Sequence, residues 1–107
     1  AILIRALEPL KGMDMMLQRT GKQRSDNTLT KGPGNVSKAL GISFRHHSGH
    51  SLLSKDLFIA EDDFVLNKKD IAAFPRIGVD YAGEDAKLLY RFFIKGNPFV
   101  SGKSEVK

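Results

Sequence analysis

No cysteine occurs in the 107 residues, so neither a disulfide nor a thiolate metal site is available. That absence fits a reducing compartment. No apolar run approaches the roughly 20 residues that a membrane-spanning helix needs, so no membrane partner is expected. No secretory leader is visible within these residues: Ala1-Ile2-Leu3-Ile4 lacks a basic leader and runs straight into Arg5. There is also no initiator Met, and the first residues already read as strand. Natural termini are usually polar and loose. The expectation is a piece of a longer protein, with the remainder upstream of Ala1.

What is present is 41% hydrophobic residues, enough for the core of one small domain or part of one. The net charge of +5 is unevenly spread. Residues 1–55 hold nine Lys and Arg against three Asp and Glu, and residues 56–107 hold eight against nine. A basic half suits a polyanion such as DNA, because neutralising phosphates releases counterions. On charge alone, solubility is the simpler reading.

Residues 1–7 read as a strand rich in Ile and Leu, ended by Pro9. Alternation puts Ala1, Leu3 and Arg5 on one face and Ile2 and Ile4 on the other. Residues 12–20 read as a helix, with Met13, Met16, Leu17 and Thr20 on one side and Gly21 as its stop. Residues 21–28 are polar loop. Residues 33–40 read as a second helix, opened by Pro33 and closed by Gly41, with Val36, Ala39 and Leu40 facing the core. Residues 42–56 are expected to be mostly loop, with a short helical turn at 51–55. Residues 57–60, 71–79 and 90–96 read as strands, the last two joined through a turn around Ala82-Gly83. The polar tail from Gly102 is expected to fray. Short strands and short helices without repeats predict an α+β domain with a largely antiparallel sheet.

Several residues invite a chemical reading. Arg5 interrupts an apolar strand, where a guanidinium needs a partner or water-filled space. Charge and spacing alone favour a pairing with Glu8 or Asp80. Ile77-Gly78 reads as an ordinary strand with a glycine bulge, or as a backbone that something approaches closely. Lys31-Gly32-Pro33-Gly34-Asn35 opens a helix, and free N–H groups with the helix dipole make such an end receptive to phosphate. Lys31 and Lys38 add positive charge. His46, His47 and His50 lack a carboxylate or further ligand to gather them around one ion, so no metal is expected. Asp80, Glu84 and Asp85 sit in a turn that explains them structurally.

Four blocks are far more specific than their physics requires. These are Ile2-Leu3-Ile4-Arg5-Ala6-Leu7-Glu8-Pro9-Leu10, Leu29-Thr30-Lys31-Gly32-Pro33-Gly34-Asn35 with Lys38-Ala39-Leu40-Gly41-Ile42, Arg76-Ile77-Gly78-Val79-Asp80-Tyr81-Ala82-Gly83, and Lys95-Gly96-Asn97-Pro98-Phe99-Val100-Ser101. In this order and spacing they resemble the C-terminal portion of the alkyladenine (3-methyladenine) DNA glycosylase family. Residues 43–70 carry the least resemblance.

The resemblance implies a curved, largely antiparallel, open barrel-like sheet with short helices packed outside. Residues 1–107 would be the C-terminal portion of one such domain. It implies base-excision repair: a damaged purine is flipped from double-stranded DNA and its N-glycosidic bond is hydrolysed without cofactor, metal or Schiff base. By resemblance, Arg5 and the Ile77 backbone carbonyl position the attacking water, and Leu3 belongs to the base pocket. Lys31, Gly32, Gly34 and Lys38 would contact DNA. The family's general-base Glu lies in its N-terminal half, outside this chain, so the chain alone is expected to be inactive. A monomer, intracellular with the genomic DNA, is expected. The competing reading is a non-enzymatic nucleic-acid-binding module.

Overall fold

The computed structural model describes residues 2–102; Ala1 and the tail beyond Gly102 lie outside the described residues. Helix α1 spans Met13–Thr20 and packs against α2, Pro33–Leu40. Met13, Met16, Leu17 and Thr20 are half-buried, whereas Asp14, Met15, Gln18 and Arg19 are exposed, as 3.6-residue spacing requires. Pro33 opens α2 at a position where its missing N–H leaves no bond unmade. Gly41 closes it in the left-handed region at φ 68°, where its N–H bonds the Lys38 and Ser37 carbonyls. Arg19 crosses between the helices and donates to the Ala39 carbonyl at 3.0 Å, filling a carbonyl that the end of α2 leaves open.

The buried apolar side chains among the described residues are Leu29, Val36, Ala39 and Ala72. Leu29 and Thr30 carry the first segment onto this core. Leu7 N–H bonds the Thr30 carbonyl at 3.2 Å, the Thr30 hydroxyl donates to the Leu7 carbonyl, and Ala6 bridges Lys31 in antiparallel fashion.

Strands β1 (Ile71–Phe74) and β2 (Arg91–Ile94) form the two-stranded antiparallel sheet of the described residues. The register pairs Ile71 with Ile94 and Phe74 with Arg91. On one face, the Phe74 and Phe93 rings meet edge to face, 5.1 Å apart. The other face leaves Ile71 and Phe92 exposed.

The strands expected at 71–79 and 90–96 are thus shorter, four residues each. Pro75 explains the first limit, since it has no N–H to continue a ladder. Of the strands expected over 1–7 and 57–60, the described residues form only single bridges, at Ala6–Lys31 and Leu53–Phe58. Side-chain alternation makes a segment strand-like, but only a neighbouring backbone makes it a strand. No helical turn forms at 51–55. Three elements were not expected, among them a 3₁₀ turn at Lys68–Asp70. Helix α3, Phe44–His47, is a single turn capped by Ser43. Asp80–Lys87 is 3₁₀ structure kinked at Gly83, in place of a simple turn.

Candidate active site

The two ends of the chain come together. Residues 2–8, with others drawn from 76–79 and 90–101, line one open cleft of about 920 Å³. Leu3, Arg5 and Ile77 all border it. Its walls are mainly apolar, and Arg5, Arg76 and Arg91 supply three guanidinium groups against the single carboxylate of Glu8.

Arg5 pairs with no carboxylate; the ion pairs among the described residues are Lys22–Asp26 and Lys87–Glu84. The pairing that charge and spacing favoured, with Glu8 or Asp80, therefore does not occur. Instead Arg5 Nε donates to Ser101 Oγ at 3.3 Å, ninety-six residues along the chain. Glu8 accepts from Asn97 Nδ2 at 3.1 Å. Asn97 also folds its own loop, because its Oδ1 accepts from Phe99 N–H at 2.8 Å. Two clasps, Glu8–Asn97 and Arg5–Ser101, thus hold residues 2–8 against the last turn.

Arg91 was not singled out by sequence reasoning. It is buried at 6% exposure against the paired rings of Phe74 and Phe93, at 5.4 and 4.8 Å from their centroids. Its Nη1 donates to the Ser101 carbonyl at 3.1 Å and its Nε to the Pro75 carbonyl at 3.4 Å. Burial, and secondarily the like charge of Arg5, lower its pKa from the ordinary value. The signal was present: an Arg inside Tyr-Arg-Phe-Phe-Ile is the same anomaly that drew attention to Arg5. Arg76 lies over the Tyr90 ring at 5.6 Å and donates from Nη2 to the Asp85 carbonyl, while its buried Nε has no hydrogen-bond partner.

Lys31, Gly32 and Gly34 cluster at the start of α2, whose first turn has no side-chain cap. Asn35 steadies that start by donating to the carbonyls of Lys31 (2.9 Å) and Thr28 (3.3 Å). Lys38 stands in the last turn instead, roughly 7 Å further along the axis at 1.5 Å per residue. None of these four lines the cleft.

The three histidines are engaged locally. His46 Nδ1 meets Ser43 Oγ at 2.9 Å, His47 Nδ1 accepts from Ser43 N–H at 3.0 Å, and His50 Nε2 meets Ser54 Oγ at 2.8 Å. Among the described residues, no group of three His, Asp or Glu could hold a metal ion. No helix among them is long and apolar enough to cross a membrane.

Residues 1–98 match the family model of the methylpurine-DNA glycosylases (MPG). The chain belongs to this family. It is 42% identical over 105 residues to a protein of Bdellovibrio bacteriovorus, covering 96% of this chain and 50% of the relative. A relative in Oceanobacillus iheyensis is 42% identical over 101 residues, covering 94% and 48%. One in the archaeon Methanocella arvoryzae is 38% identical over 104 residues, covering 97% and 50%. All three are provisionally named 3-methyladenine DNA glycosylases. The chain spans about half the length of these relatives. Within this methylpurine-DNA glycosylase half, the matched region contains Leu3, Arg5 and Ile77, and ends three residues before Ser101.

Proposed function

We propose that the protein acts in base-excision DNA repair, hydrolysing the N-glycosidic bond of alkylated purines of the 3-methyladenine type after they are flipped out of duplex DNA. The observation that carries this reading is the cleft bordered jointly by Leu3, Arg5 and Ile77 in a chain of this family.

In the proposed reaction, water attacks the anomeric carbon, C1′. The C1′–N bond breaks, the purine leaves with the bonding electrons, and an abasic sugar remains. The transition state resembles an oxocarbenium ion, so a fixed water and a carboxylate to take its proton are both needed. Arg5 and the Ile77 carbonyl hold the water: a guanidinium donates to its oxygen and a carbonyl accepts one of its protons. Leu3 forms part of the wall against the flipped base. The general-base Glu and the rest of the base pocket belong to a part of the protein outside residues 1–107, which form the C-terminal portion of the domain. The reaction is monofunctional, with no lysine Schiff base and no metal or other cofactor.

Lys31, Gly32 and Gly34 contact DNA phosphates at the start of α2, and Lys38 adds to the attraction from its other end. The exposed Ile2, Leu3, Phe92 and Tyr90 support a larger, curved, barrel-like sheet in the whole protein, because open apolar strand surface is normally covered. The protein acts as a monomer on genomic DNA inside the cell.

The test uses a duplex with one hypoxanthine and, separately, methylated DNA from which released 3-methyladenine is counted. The 107-residue chain alone is expected to leave no alkali-labile abasic site. Joined to the complementary half of the Bdellovibrio relative, it should produce them. Product from the chain alone would overturn the assignment of the base to the missing portion. No product in either arrangement, with DNA binding retained, would favour the non-enzymatic binding module.

A further inference from the structure

The string from Lys95 to Ser101 was the most specific feature of the sequence that the proposed chemistry leaves without a task. Its end carries one. Ser101 Oγ accepts from Arg5 Nε, and the Ser101 carbonyl accepts from Arg91 Nη1. Ser101 is 8% exposed, and its bond to the half-buried Arg5 is partly sheltered from water. The next residue, Gly102, packs against Ile77: a Cβ there would fall far inside van der Waals contact of Ile77 Cδ1. Gly102 also sits at φ 77°, a conformation that side chains resist. One dipeptide therefore touches both residues assigned to the water, Arg5 through a hydroxyl and Ile77 through the absence of a side chain.

The dipeptide is itself held. Arg91 packs against two rings, and its guanidinium spans the Pro75 and Ser101 carbonyls. Pro75 lies two residues before Ile77. The same guanidinium thus ties the backbone leading to Ile77 to the backbone carrying Ser101. Asn97 sets the loop between by bonding Phe99 N–H and Glu8. An Arg side chain has several soft torsions, and a guanidinium that must hold a water within a few tenths of an ångström needs this kind of support.

We infer that Ser101 is a positioning residue: with Arg91 as its anchor, it fixes the Arg5 guanidinium relative to the backbone that leads from Pro75 to Ile77, and Gly102 leaves room beside it for the Ile77 side chain. The inference rests on the proposed function for what the two groups do, but not for whether they are held.

Arginine side-chain NMR separates the two questions. In the 107-residue chain, the Arg5 Nε–H resonance, assigned by its loss in Arg5→Lys, should exchange with water more slowly than an exposed guanidinium. Fast exchange in the unaltered chain would overturn the inference without any variant having to fold. In Ser101→Ala, the Arg5 resonance should move and exchange about fivefold faster, the loss of one neutral-acceptor hydrogen bond. Ser101→Thr, which keeps the hydroxyl, should restore it. The Arg19 resonance, held on the Ala39 carbonyl, should not move in either variant. An Arg5 resonance indifferent to Ser101→Ala would sink the proposal.

In the joined enzyme described above, Ser101→Ala should lower the single-turnover rate about fivefold or more at unchanged DNA affinity, with Ser101→Thr rescuing it. A normal rate in Ser101→Ala overturns the positioning role even where the NMR coupling holds. Absence of glycosylase activity in every joined form defeats the functional reading and leaves the NMR result standing by itself.

Discussion

Residues 2–8 and residues 43–66 are held by different kinds of contact. The first segment is gripped from two distant parts of the chain, at Thr30–Lys31 on one side and at Asn97 and Ser101 on the other. In the second segment the side-chain hydrogen bonds reach only two to four residues: Ser43 to His46 and His47, Ser54 to His50 and Leu57, Asp62 to Phe64. Its large apolar groups stand open, with Phe44, Leu53, Phe58 and Val65 all exposed. Local bonds constrain only their own turn, so many sequences satisfy them. Bonds between remote residues need particular groups at both ends. Residues 2–8 therefore place a tighter demand on residue type than residues 43–66.

The strongest way to break this contrast is to truncate one leucine beneath the first segment and one within the second. Leu29 is fully buried and carries Thr30 to its bonds with Leu7, whereas Leu53 is 95% exposed. Leu29→Ala should cost about 2–5 kcal/mol in urea unfolding, or leave the chain unfolded in plain buffer. Leu53→Ala should stay within about 0.5 kcal/mol. Equal costs would mean that the middle segment is packed as firmly as the ends.

A finer comparison cuts hydrogen bonds rather than packing. Asn97→Ala removes the clasp on Glu8 and the turn bond to Phe99, and should lower global stability by about 1 kcal/mol. Ser54→Ala removes bonds to His50 and Leu57 that close only a local turn. It should speed amide exchange at Leu57 and leave the global unfolding midpoint in place. A global loss in the second variant as large as in the first would erase the distinction.

The same distinction marks what was legible in the sequence. Helix α2 was readable to the residue, since Pro33 and Gly41 are local signals with local causes. The apolar face of α1 was readable for the same reason. Arg5 stood out because a guanidinium in an apolar run needs explaining, but its partner could not be read, because Ser101 lies ninety-six residues away. Arg91 posed the identical question and went unread. The 3₁₀ stretch Asp80–Lys87 has no 3.6-residue apolar spacing to show it and is broken at Gly83. Strand pairing was the least legible feature, since alternation says which way side chains point and nothing about which backbone lies alongside.

The smallest expected effect concerns a loop beside the gripped region that is itself held locally. The Thr28 hydroxyl and the Thr28 N–H both donate to Asp26 Oδ1, the latter at 2.8 Å, and Lys22 Nζ lies 3.5 Å from the same oxygen. The Thr28 contacts, ahead of Lys22, lower the Asp26 pKa below its ordinary 3.8. A carboxyl depressed in the folded chain contributes stability above the unfolded value and loses it as pH falls through the folded one. The loop's stabilisation should therefore be complete above pH 3.8 and fade only below it. Asp26 is exposed, so the readout is its own titration by carboxyl NMR rather than global unfolding. Thr28→Val, which removes the hydroxyl, should raise the Asp26 pKa toward the ordinary value by more than Lys22→Ala does. The opposite order would show that charge, not the turn's own hydrogen bonds, holds this loop, and that local bonding is the wrong description of it.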